Sequence, residues 1–587
     1  MTMKKEERKA KIVCTIGPVS SSVETLTKLT EAGMNVARLN FSHGSYESHE
    51  STLNNIRTVE KNNKRPIAVL LDTKGPEIRT GLLKDGKKVK VEQGANFVLC
   101  FEDSLGDENH VYVDYPNLSK EVEKGQSIFI DDGSIHLIVE STSDSGVTCR
   151  VLAGGELGER KGINVPGAEL SVPTLTEKDI SDIKWGIEHE VDYIAVSFVR
   201  TMDDVMEVRR ILEEFSGNAK IIAKIETRHS VNNLDSILSV ADGMMVARGD
   251  LGVEIPTEDV PMVQKHIIEK CRLKGKQVIV ATQMLDSMIR NPRPTRAEAS
   301  DVANAVIDGT DAVMLSGETA GGLYPVDAVS VMDKIVLRTE KEINTWQQNC
   351  SALKDTNVTA DAVSHAARDI SNSVDAAAII SLTETGGTAR MVSKYRPLCP
   401  IIAATSAVKT WRQLCLVWGV TPIICPLAGD LESSAALAIA AVKKDGLVEE
   451  GDTVVITSGV PLGEPGSTNM VHVRTVGEIL GRGDSLIKRI ENGEVCKASS
   501  AEDAIRKIRK GDILVVRSAS SDYLPAIKLA AAVITEKGGL TSYAGLATLN
   551  LDTVSVLGVS GIYDLLSDGM VVTADGVRGL IYKGRIA

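Results

Sequence analysis

Short apolar runs alternate with amphipathic helical segments along the chain from Lys11 onward. Each run is typical of a buried strand, and segments such as SVETLTKLTEAG between them have helical spacing of apolar residues. Repeated strand–helix units predict an α/β fold built on a parallel (β/α)8 TIM barrel, in which the residues after each strand ring one open face. The runs are KIVCTIG, NVARLNF, IAVLLDT, DYIAVSF, KIIAKIE, GMMVARG, QVIVATQ and DAVMLSG.

Polar residues cluster where these predicted strands end. A purely structural pattern would scatter them evenly between strand starts and strand ends, so the clustering favours a functional site. The clustered residues are Arg38, Asn40, Ser42, Asp72, Thr73, Lys74, Lys224, Glu226, Asp250, Thr282, Ser316 and Glu318.

Lys224 and Glu226 stand two residues apart on one predicted strand, so their side chains point to the same face. Burying either charge is costly unless it is paired or bound to a metal. Asp250 ends the next strand, and two carboxylates beside a lysine suit a divalent cation next to an anionic substrate. A buried structural ion pair is the alternative. The turn with Gly249 and Gly252 favours the site, because it offers free N–H groups to an anion.

Changes of pattern predict four domains. The barrel occupies residues 1–74 and 174–339. Short alternating runs such as KVKVEQG, SIFIDDG and VTCRVLAG, punctuated by glycine and aspartate, predict an inserted β-barrel lid domain over 75–173. Fresh strands predict an open α/β domain over 340–475. A polar bridge then leads into an additional small α/β domain over 476–587.

Composition restricts the partners. The net charge of -13 argues against a general nucleic-acid binder, although it permits a local basic pocket for phosphates. The nine cysteines lack CxxC spacing, which fits a reducing cytosol and predicts neither a disulfide framework nor a zinc site. The opening MTMKKEERKA lacks the apolar stretch of a signal peptide, and no run is apolar enough to span a bilayer. We expect a cytoplasmic protein without nucleic-acid or membrane partners.

Several sequence motifs are distributed over roughly residues 11–475. They are KIVCTIGP, MNVARLNFSHG, LLDTKGPEIRTG, KGINVPG, MVARGDLGVEIP, ATQMLDSM, NPRPTRAEASDVANAV and DAVMLSGETA. In these words and their order the chain closely resembles the pyruvate kinase family. The resemblance implies transfer of the phosphoryl group of phosphoenolpyruvate to ADP, which gives pyruvate and ATP. It also implies Mg²⁺ (or Mn²⁺) and K⁺ as cofactors, allosteric regulation and a homotetramer.

The resemblance assigns roles to the substrate-facing residues. Lys224 would neutralise charge on the phosphoryl group during transfer, and Arg38 would grip the substrate phosphate with its fork of donors. The substrate carboxylate would lie against the N–H groups of Gly249 and Asp250 and the hydroxyl of Thr282.

Further roles follow from the same resemblance. Glu226 and Asp250 would hold the divalent metal. Thr282 and Ser316 would lie on the side from which the enolate takes its proton. Arg79 and Lys161 match contacts to the nucleotide phosphates, and the lid would bring Lys161 to them.

A potassium site is also implied. Glu77 is the residue that potassium-dependent members carry, whereas independent members resemble this stretch with lysine there. A surface carboxylate is the alternative for Glu77. The residues that match the family's potassium ligands offer only oxygen donors, and they are Asn40, Ser42, Asp72 and Thr73.

The third predicted domain contains a loop that aligns with the family's sugar-phosphate effector site. Hydroxyls of Thr383, Thr385 and Thr388, with glycines between them, resemble a phosphate nest. Glu384 would oppose a second phosphate, so we expect a monophosphate effector such as AMP or a sugar phosphate. A plain helix N-terminus is the alternative.

The last predicted domain resembles the swivelling phosphohistidine domain of phosphoenolpyruvate-utilising enzymes, through GGLTSYAG and DGVRGLIYKGRIA. Those enzymes have Thr-Ser-His where this chain has Thr-Ser-Tyr, with Tyr543 in the histidine's place. The last histidine of the chain is His472, so we expect this domain to carry no phosphate.

Two other functions remain open at this point. A metal-dependent lyase or aldolase acting on pyruvate enolates shares a barrel and an acidic metal pair, but it would not need Arg79, Lys161 or the lid. An inactive relative that only senses metabolites is the other alternative, although every assigned catalytic position is filled.

Overall fold

The computed structural model describes residues 8–168, 170–346, 358–428, 430–461 and 466–585. Its strands are β1 (Lys11–Thr15), β2 (Val36–Asn40), β3 (Ala68–Asp72), β4 (Ile78–Arg79), β5 (Val89–Val91), β6 (Asn96–Cys100), β7 (His110–Tyr112), β8 (Ser127–Ile130), β9 (Ile135–Ser143), β10 (Gly146–Ala153), β11 (Gly155–Leu157), β12 (Gly162–Asn164), β13 (Tyr193–Val196), β14 (Lys220–Ile225), β15 (Gly243–Ala247), β16 (Gln277–Ala281), β17 (Ala312–Leu315), β18 (Ala378–Leu382), β19 (Ile401–Thr405), β20 (Val420–Ile424), β21 (Thr453–Gly459), β22 (Thr468–Thr475), β23 (Ile479–Arg482), β24 (Ile490–Lys497), β25 (Ile513–Val516), β26 (Ala532–Thr535), β27 (Val554–Val556), β28 (Val571–Asp575) and β29 (Leu580–Lys583).

The helices occur between these strands. They are α1 (Val23–Ala32), α2 (Tyr46–Asn63), α3 (Leu118–Glu121), α4 (Glu177–Glu188), α5 (Met202–Glu214), α6 (Arg228–Asn232), α7 (Leu234–Val240), α8 (Arg248–Glu254), α9 (Val260–Leu273), α10 (Arg296–Asp308), α11 (Gly317–Ala320), α12 (Pro325–Trp346), α13 (Val358–Ser373), α14 (Gly387–Lys394), α15 (Val408–Gln413), α16 (Leu431–Lys444), α17 (Ala501–Lys507), α18 (Leu524–Ile527), α19 (Tyr543–Asn550) and α20 (Ile562–Leu565). Hydroxyl N-caps start several barrel helices, because the side chain of Ser22, Thr176 or Thr295 accepts from a first-turn N–H group.

Parallel strands close a barrel in the order β1, β2, β3, β13, β14, β15, β16 and β17, after which β17 pairs with β1. These are the apolar runs that the sequence pattern selected, so the predicted (β/α)8 barrel is confirmed. Alternate residues of each strand face opposite sides: Ile222 packs inside the barrel, whereas Ile221 and Ala223 belong to the core outside it.

The chain between β3 and α4 forms the inserted β domain. Its larger sheet has the order β4-β12-β8-β9-β10-β6-β7, and β5 pairs with β11 in a smaller sheet. An antiparallel bridge joins Thr80, just after β4, to Val113, just after β7, so the two edges of the larger sheet meet. Phe97, Leu99 and Leu137 lie in its separate core. The inserted β barrel expected from the sequence is therefore present.

Two further sheets follow the barrel. One has the strand order β20-β19-β18-β21-β22, and the other has the order β23-β29-β28-β24-β25-β26-β27. In the second sheet β24 to β27 are parallel, whereas β28 pairs antiparallel with β24 and β29. Both match the α/β character expected of the last two domains. No helix among the described residues has both the length and the apolar character that a membrane crossing requires.

The chain divides into two compact units, each of which is described by itself. The first comprises Met1–Arg368, Ser381–Pro426 and Ser458–Asn469, and the second comprises Asp369–Ile380, Leu427–Thr457 and Met470–Ala587.

Candidate active site

Lys224 lies within a cluster of oxygen atoms at the carboxyl ends of the barrel strands. Its Nζ is 2.9 Å from Glu226 Oε1 and 3.2 Å from Asp72 Oδ1, and it donates a 2.7 Å hydrogen bond to Ser197 Oγ. Burial alone would lower the pKa of Lys224, but the two carboxylates outweigh it and raise the pKa above its usual value. A charged ammonium therefore stands where β3, β13 and β14 end.

Asp72 connects this lysine to Arg38. The Nε of Arg38 donates to Asp72 Oδ2 at 2.6 Å, and its Nη1 donates to Thr15 Oγ1 at 2.9 Å. Burial would raise the pKa of Asp72, but Arg38 and Lys224 outweigh it and lower the pKa, so the carboxylate stays ionised. Charge-assisted bonds thus join the ends of β1, β2 and β3 to the lysine.

The residues expected to bind potassium lie at the ends of β2 and β3. The register of these strands pairs Asn40 with Asp72, and Asn40 Oδ1 accepts a 3.2 Å hydrogen bond from Ser42 N. Thr73 follows Asp72 and is buried; its Oγ1 accepts from Ser197 N at 3.2 Å, and its carbonyl accepts from Ser197 Oγ at 2.7 Å. The structure therefore brings these four residues to adjoining strand ends.

Glu226 and Asp250 fit a bound cation. Phe198 N donates to Glu226 Oε2 at 2.6 Å, whereas the buried Glu226 Oε1 accepts no hydrogen bond and has only its ion pair with Lys224. Burial and the negative charge of Glu226 raise the pKa of Asp250 to about 7. Mg²⁺ is commonly held by one or two carboxylates together with phosphate oxygens of the substrate. Within the described ranges no group of three or more His, Cys, Asp or Glu side chains could hold a metal. Oxygen atoms of the substrate would therefore complete the coordination of a metal at Glu226 and Asp250.

The turn after β15 places Gly249 and Asp250 in the first turn of α8, where backbone N–H groups have no acceptor within the helix. Thr282, after β16, has a φ of 74°, which is rare for a β-branched residue and is characteristic of functional sites. A Cβ at position 249 would lie 2.8 Å from Thr282 Cγ2, so only glycine allows this approach. The residues predicted to hold the substrate carboxylate are therefore together.

Arg248 holds the strained turn in place. It donates to Thr282 O at 2.8 Å and to Ala281 O at 3.2 Å, and its Nη1 donates to Asp301 Oδ1 at 2.7 Å. One guanidinium thereby fixes the peptide groups on both sides of Thr282, the residue with the unusual φ.

Ser316 follows β17 in a turn fixed by Glu318. The Ser316 N–H group donates to Glu318 Oε2 at 2.7 Å, and Leu285 N donates to Oε1 at 3.0 Å. Burial raises the pKa of Glu318 and outweighs these backbone donors, which lower it. The carboxyl group ties the turn after β17 to the loop after β16, so Ser316 and Thr282 stand on connected loops.

Arg79 lies on β4 of the inserted barrel, and Lys161 immediately precedes the neighbouring strand β12. The register of β4 and β12 places Arg79 beside the residue that follows Lys161. The Nε of Arg79 donates to Glu77 Oε2 at 2.6 Å, and Lys161 Nζ is 2.9 Å from Asp131 Oδ1. Glu77 is also near enough to Asp250 to act on it electrostatically. The two basic residues are therefore together on one edge of the lid.

The loop expected to bind an effector joins β18 to α14. Thr383 Oγ1 accepts from Gly386 N at 3.0 Å, and Thr388 Oγ1 lies 2.9 Å from Thr468 Oγ1. Both of these hydroxyls are buried and partnered, whereas Thr385 is exposed. The loop is thus a compact turn in which the Thr385 side chain is exposed.

Glu384, in the same loop, is already engaged. Its two carboxylate oxygens accept from Ser406 Oγ at 2.8 Å and 2.9 Å, and Thr410 Oγ1 donates to its backbone carbonyl at 2.6 Å. A negative charge is therefore fixed beside the turn.

Sequence reasoning missed three residues that position the site. Each stands at the end of a barrel strand or begins the following turn, and the same rule that selected the other residues could have found them. They are Thr15, Ser197 and Arg248.

Family models match successive parts of the chain. The model described as pyruvate kinase, barrel domain, matches residues 7–329, and the model described as pyruvate kinase, alpha/beta domain, matches residues 361–474. The chain belongs to the pyruvate kinase family. A third model, the mobile domain of PEP-utilising enzymes, matches residues 508–579, in agreement with the resemblance noted for the tail of this pyruvate kinase.

Curated relatives with the same name span nearly the whole chain. The pyruvate kinase of Geobacillus stearothermophilus is 48% identical over 98% of this chain and 99% of the relative. That of Bacillus licheniformis is 45% identical over the same shares, and that of Staphylococcus aureus (strain USA300) is 44% identical over 98% of this chain and 99% of the relative. The predicted pyruvate kinase function, that of a phosphotransferase, is thereby confirmed. Neither a lyase nor an inactive sensor is favoured.

Proposed function

We propose that the Lys224 cluster carries out the pyruvate kinase reaction of this chain, in which the phosphoryl group of phosphoenolpyruvate passes to ADP. The supporting observation is the position of Lys224 Nζ, 2.9 Å and 3.2 Å from carboxylate oxygens of Glu226 and Asp72. A fixed positive charge in that place stabilises the negative charge on the phosphoryl oxygens in the transition state.

The reaction breaks the bond from phosphorus to the enolate oxygen while an oxygen of the ADP β-phosphate bonds to phosphorus. Arg38 holds the phosphate, and the N–H groups of Gly249 and Asp250 hold the substrate carboxylate. The released enolate then takes a proton at its methylene carbon and becomes pyruvate. The hydroxyls of Thr282 and Ser316 lie on the side from which this proton arrives.

The cofactors of this proposal are Mg²⁺ (or Mn²⁺) and K⁺. Glu226 and Asp250 would hold the divalent ion, which supplies Lewis-acid polarisation of phosphate and enolate oxygens when it is bound. The buried Glu226 Oε1, which accepts no hydrogen bond and has Lys224 as its ion-pair partner, supports this assignment. The proposed potassium ligands are Asn40, Ser42, Asp72 and Thr73.

Arg79 and Lys161 would contact the nucleotide phosphates. The carboxylates of Glu77 and Asp131 hold these two side chains in place on the lid. ADP and ATP are thus the proposed nucleotide partners, and the lid positions the two cations for them.

The proposed effector is a monophosphate, such as AMP or a sugar phosphate, at Thr383, Thr385 and Thr388. The carboxylate of Glu384, held by Ser406, supports a single phosphate because it would repel a second one. Activation assays with AMP, ribose 5-phosphate and fructose 1,6-bisphosphate test this. Strong activation by the bisphosphate alone would refute it.

The remaining expectations are also proposals. The domain limits are 1–74 with 174–339, 75–173, 340–475 and 476–587, although the helix Pro325–Trp346 runs through the limit at 339. Residues 1–7 and 347–357 of these segments lie outside the described ranges. A homotetramer in the cytoplasm, without nucleic-acid or membrane partners, is expected, and light scattering of the purified chain tests the tetramer.

The direct test of the site is ATP formation from phosphoenolpyruvate and ADP by the purified full-length chain. We expect ATP in amounts equal to the pyruvate formed, and a loss of most turnover in Asp250→Asn. Pyruvate released without ATP, or full turnover in Asp250→Asn, would contradict the assignment.

A further inference from the structure

Basic side chains surround a small cavity at the amino-terminal ends of the barrel strands, opposite the catalytic end. The cavity has a volume of about 10 Å³, enough for one small particle. It lies where β16 and β17 begin and where α14 ends. We call it the basic pocket, and its charged lining residues are Arg272, Lys276, Arg390, Lys394, Arg396 and Asp311.

Some of these cations have strong acceptors. Lys394 Nζ is 2.6 Å from Asp361 Oδ1, and Arg396 Nη1 is 3.0 Å from Asp311 Oδ1. Lys276 donates to backbone carbonyls at the end of α7, including one at 2.7 Å, where the helix dipole favours a cation. Their charges are therefore balanced within the protein.

Arg272 and Arg390 are not balanced in this way. Arg272 Nε is buried and has no hydrogen-bond partner. Among the described residues, the side chain of Arg390 hydrogen-bonds only to Thr385 O, at 3.0 Å, and no carboxylate lies within ion-pair distance of either guanidinium. Burial lowers the pKa of Arg390 and outweighs the charge of Asp242, which lies beyond ion-pair distance, yet a guanidinium stays charged at neutral pH. Shielded charges without counter-charges are costly.

We propose that the basic pocket binds one monatomic anion of the halide class, held by Arg272 and Arg390. The small volume of the cavity favours a monatomic anion over phosphate or a nucleotide, and a water molecule would leave both cations without a counter-charge. The anion would also hold Arg390 in the position from which it donates to Thr385 O, in the loop before α14. The inference rests on the pocket alone and does not depend on the proposed effector.

Thermal unfolding tests the binding. The full-length protein is melted at constant potassium and ionic strength while gluconate is replaced by chloride or bromide. We expect Tm to rise and saturate with either halide, because a ligand that binds only the folded state stabilises it. An equal Tm in gluconate and in chloride would overturn the proposal.

Variants locate the effect. Arg390→Gln and Arg272→Gln should each lose the halide-dependent rise, and each should melt no lower than the parent in gluconate, since a cation without a counter-charge is removed. Arg210→Gln, an exposed arginine outside the basic pocket, is the matched control and should keep the full rise. A rise that persists in both pocket variants would place the halide elsewhere.

A crystal of the parent grown in bromide provides a readout that needs no variant. Anomalous scattering from one bromide between Arg272 and Arg390 is expected. A peak that lacks anomalous signal there would show a water molecule and refute the proposal, even if a variant fails to fold.

Discussion

Lys224, Asp72 and Glu226 form a buried ion-pair network, which is also the proposed site of phosphoryl transfer. The sequence left these two descriptions as alternatives. The distances of 2.9 Å and 3.2 Å from the ammonium show the ion-pair network, and we propose that the same arrangement acts on the phosphate. The network keeps the ammonium charged and fixed before substrate arrives, which is the preorganisation that electrostatic catalysis requires.

Lys224→Met should therefore lower kcat by roughly a hundredfold or more, with little change in the Kd for phosphoenolpyruvate. It should also lower Tm, since Asp72 and Glu226 lose the cation between them. Steady-state kinetics, titration calorimetry and thermal melting measure the three effects.

Lys220→Met is the matched control. Lys220 begins the same strand at its opposite end, with Nζ 3.5 Å from Asp242 Oδ1, and its loss should leave kcat near the parent value. A Lys224→Met enzyme that keeps its kcat and only raises KM would contradict the role assigned to Lys224.

Much of the cluster could be predicted because side-chain direction alternates along a strand. That rule put Lys224 and Glu226 on one face without any knowledge of distances. It did not select Ser197, although Lys224 donates to it at 2.7 Å. A lone hydroxyl carries no charge that makes its burial noteworthy, and its partner is 27 residues away in the chain.

Glu77 offers a second test at this scale. Activity should require potassium, and Glu77→Lys should remove much of that requirement by supplying a fixed cation near the substrate. Glu77→Gln, which removes the negative charge without adding a positive one, should still need potassium. Rates in tetramethylammonium buffer with and without KCl decide the matter, and a parent enzyme that is equally fast without potassium would disprove the argument.

At the scale of elements, the loops after β15, β16 and β17 are tied to one another rather than merely adjacent. Arg248 joins the first to the second through Thr282 O, and Glu318 joins the second to the third. The residues predicted to hold the substrate carboxylate and to face the enolate are therefore positioned by side chains that need not touch substrate.

Arg248→Lys should weaken this connection, because an ammonium cannot reproduce the planar fork that reaches Ala281 O, Thr282 O and Asp301. We expect kcat/KM for phosphoenolpyruvate to fall about tenfold, which corresponds to about 1.4 kcal/mol of transition-state stabilisation. Arg290→Lys, at an exposed arginine, is the control and should be neutral. An unchanged kcat/KM in a folded Arg248→Lys enzyme would refute the positioning role.

The elements themselves were predictable to different degrees. Barrel strands pair with their successors, so their order follows from the repeat. In the inserted domain the runs KVKVEQG, SIFIDDG and VTCRVLAG indicated strands, and β5, β8 and β10 lie there. Their order in the sheet could not be predicted, since an alternation with a period of two is the same for every strand and does not specify the partner.

At the scale of the whole molecule, the second unit joins the tail to the segments Asp369–Ile380 and Leu427–Thr457. Val476 is buried, and its backbone exchanges 2.8 Å hydrogen bonds with Gly451 and Asp452.

Removing residues from Gly477 onward should leave kcat near the parent value, because the proposed catalytic residues all lie in the first unit. Tm or the effector response should change. A folded truncated enzyme without turnover would contradict this.

The tail should never carry phosphate. A phosphohistidine relay needs a nucleophilic imidazole nitrogen, and no histidine follows His472. Tyr543, which replaces the histidine, begins α19 and packs beside the tail's apolar core, while Ser542 caps that helix by accepting from Gly545 N. A phenol is a poorer nucleophile than an imidazole, and its phosphoester transfers phosphate far less readily than a phosphoramidate. After incubation with ³²P-phosphoenolpyruvate we expect no label on the protein and full turnover in Tyr543→Phe; label on the tail would refute this.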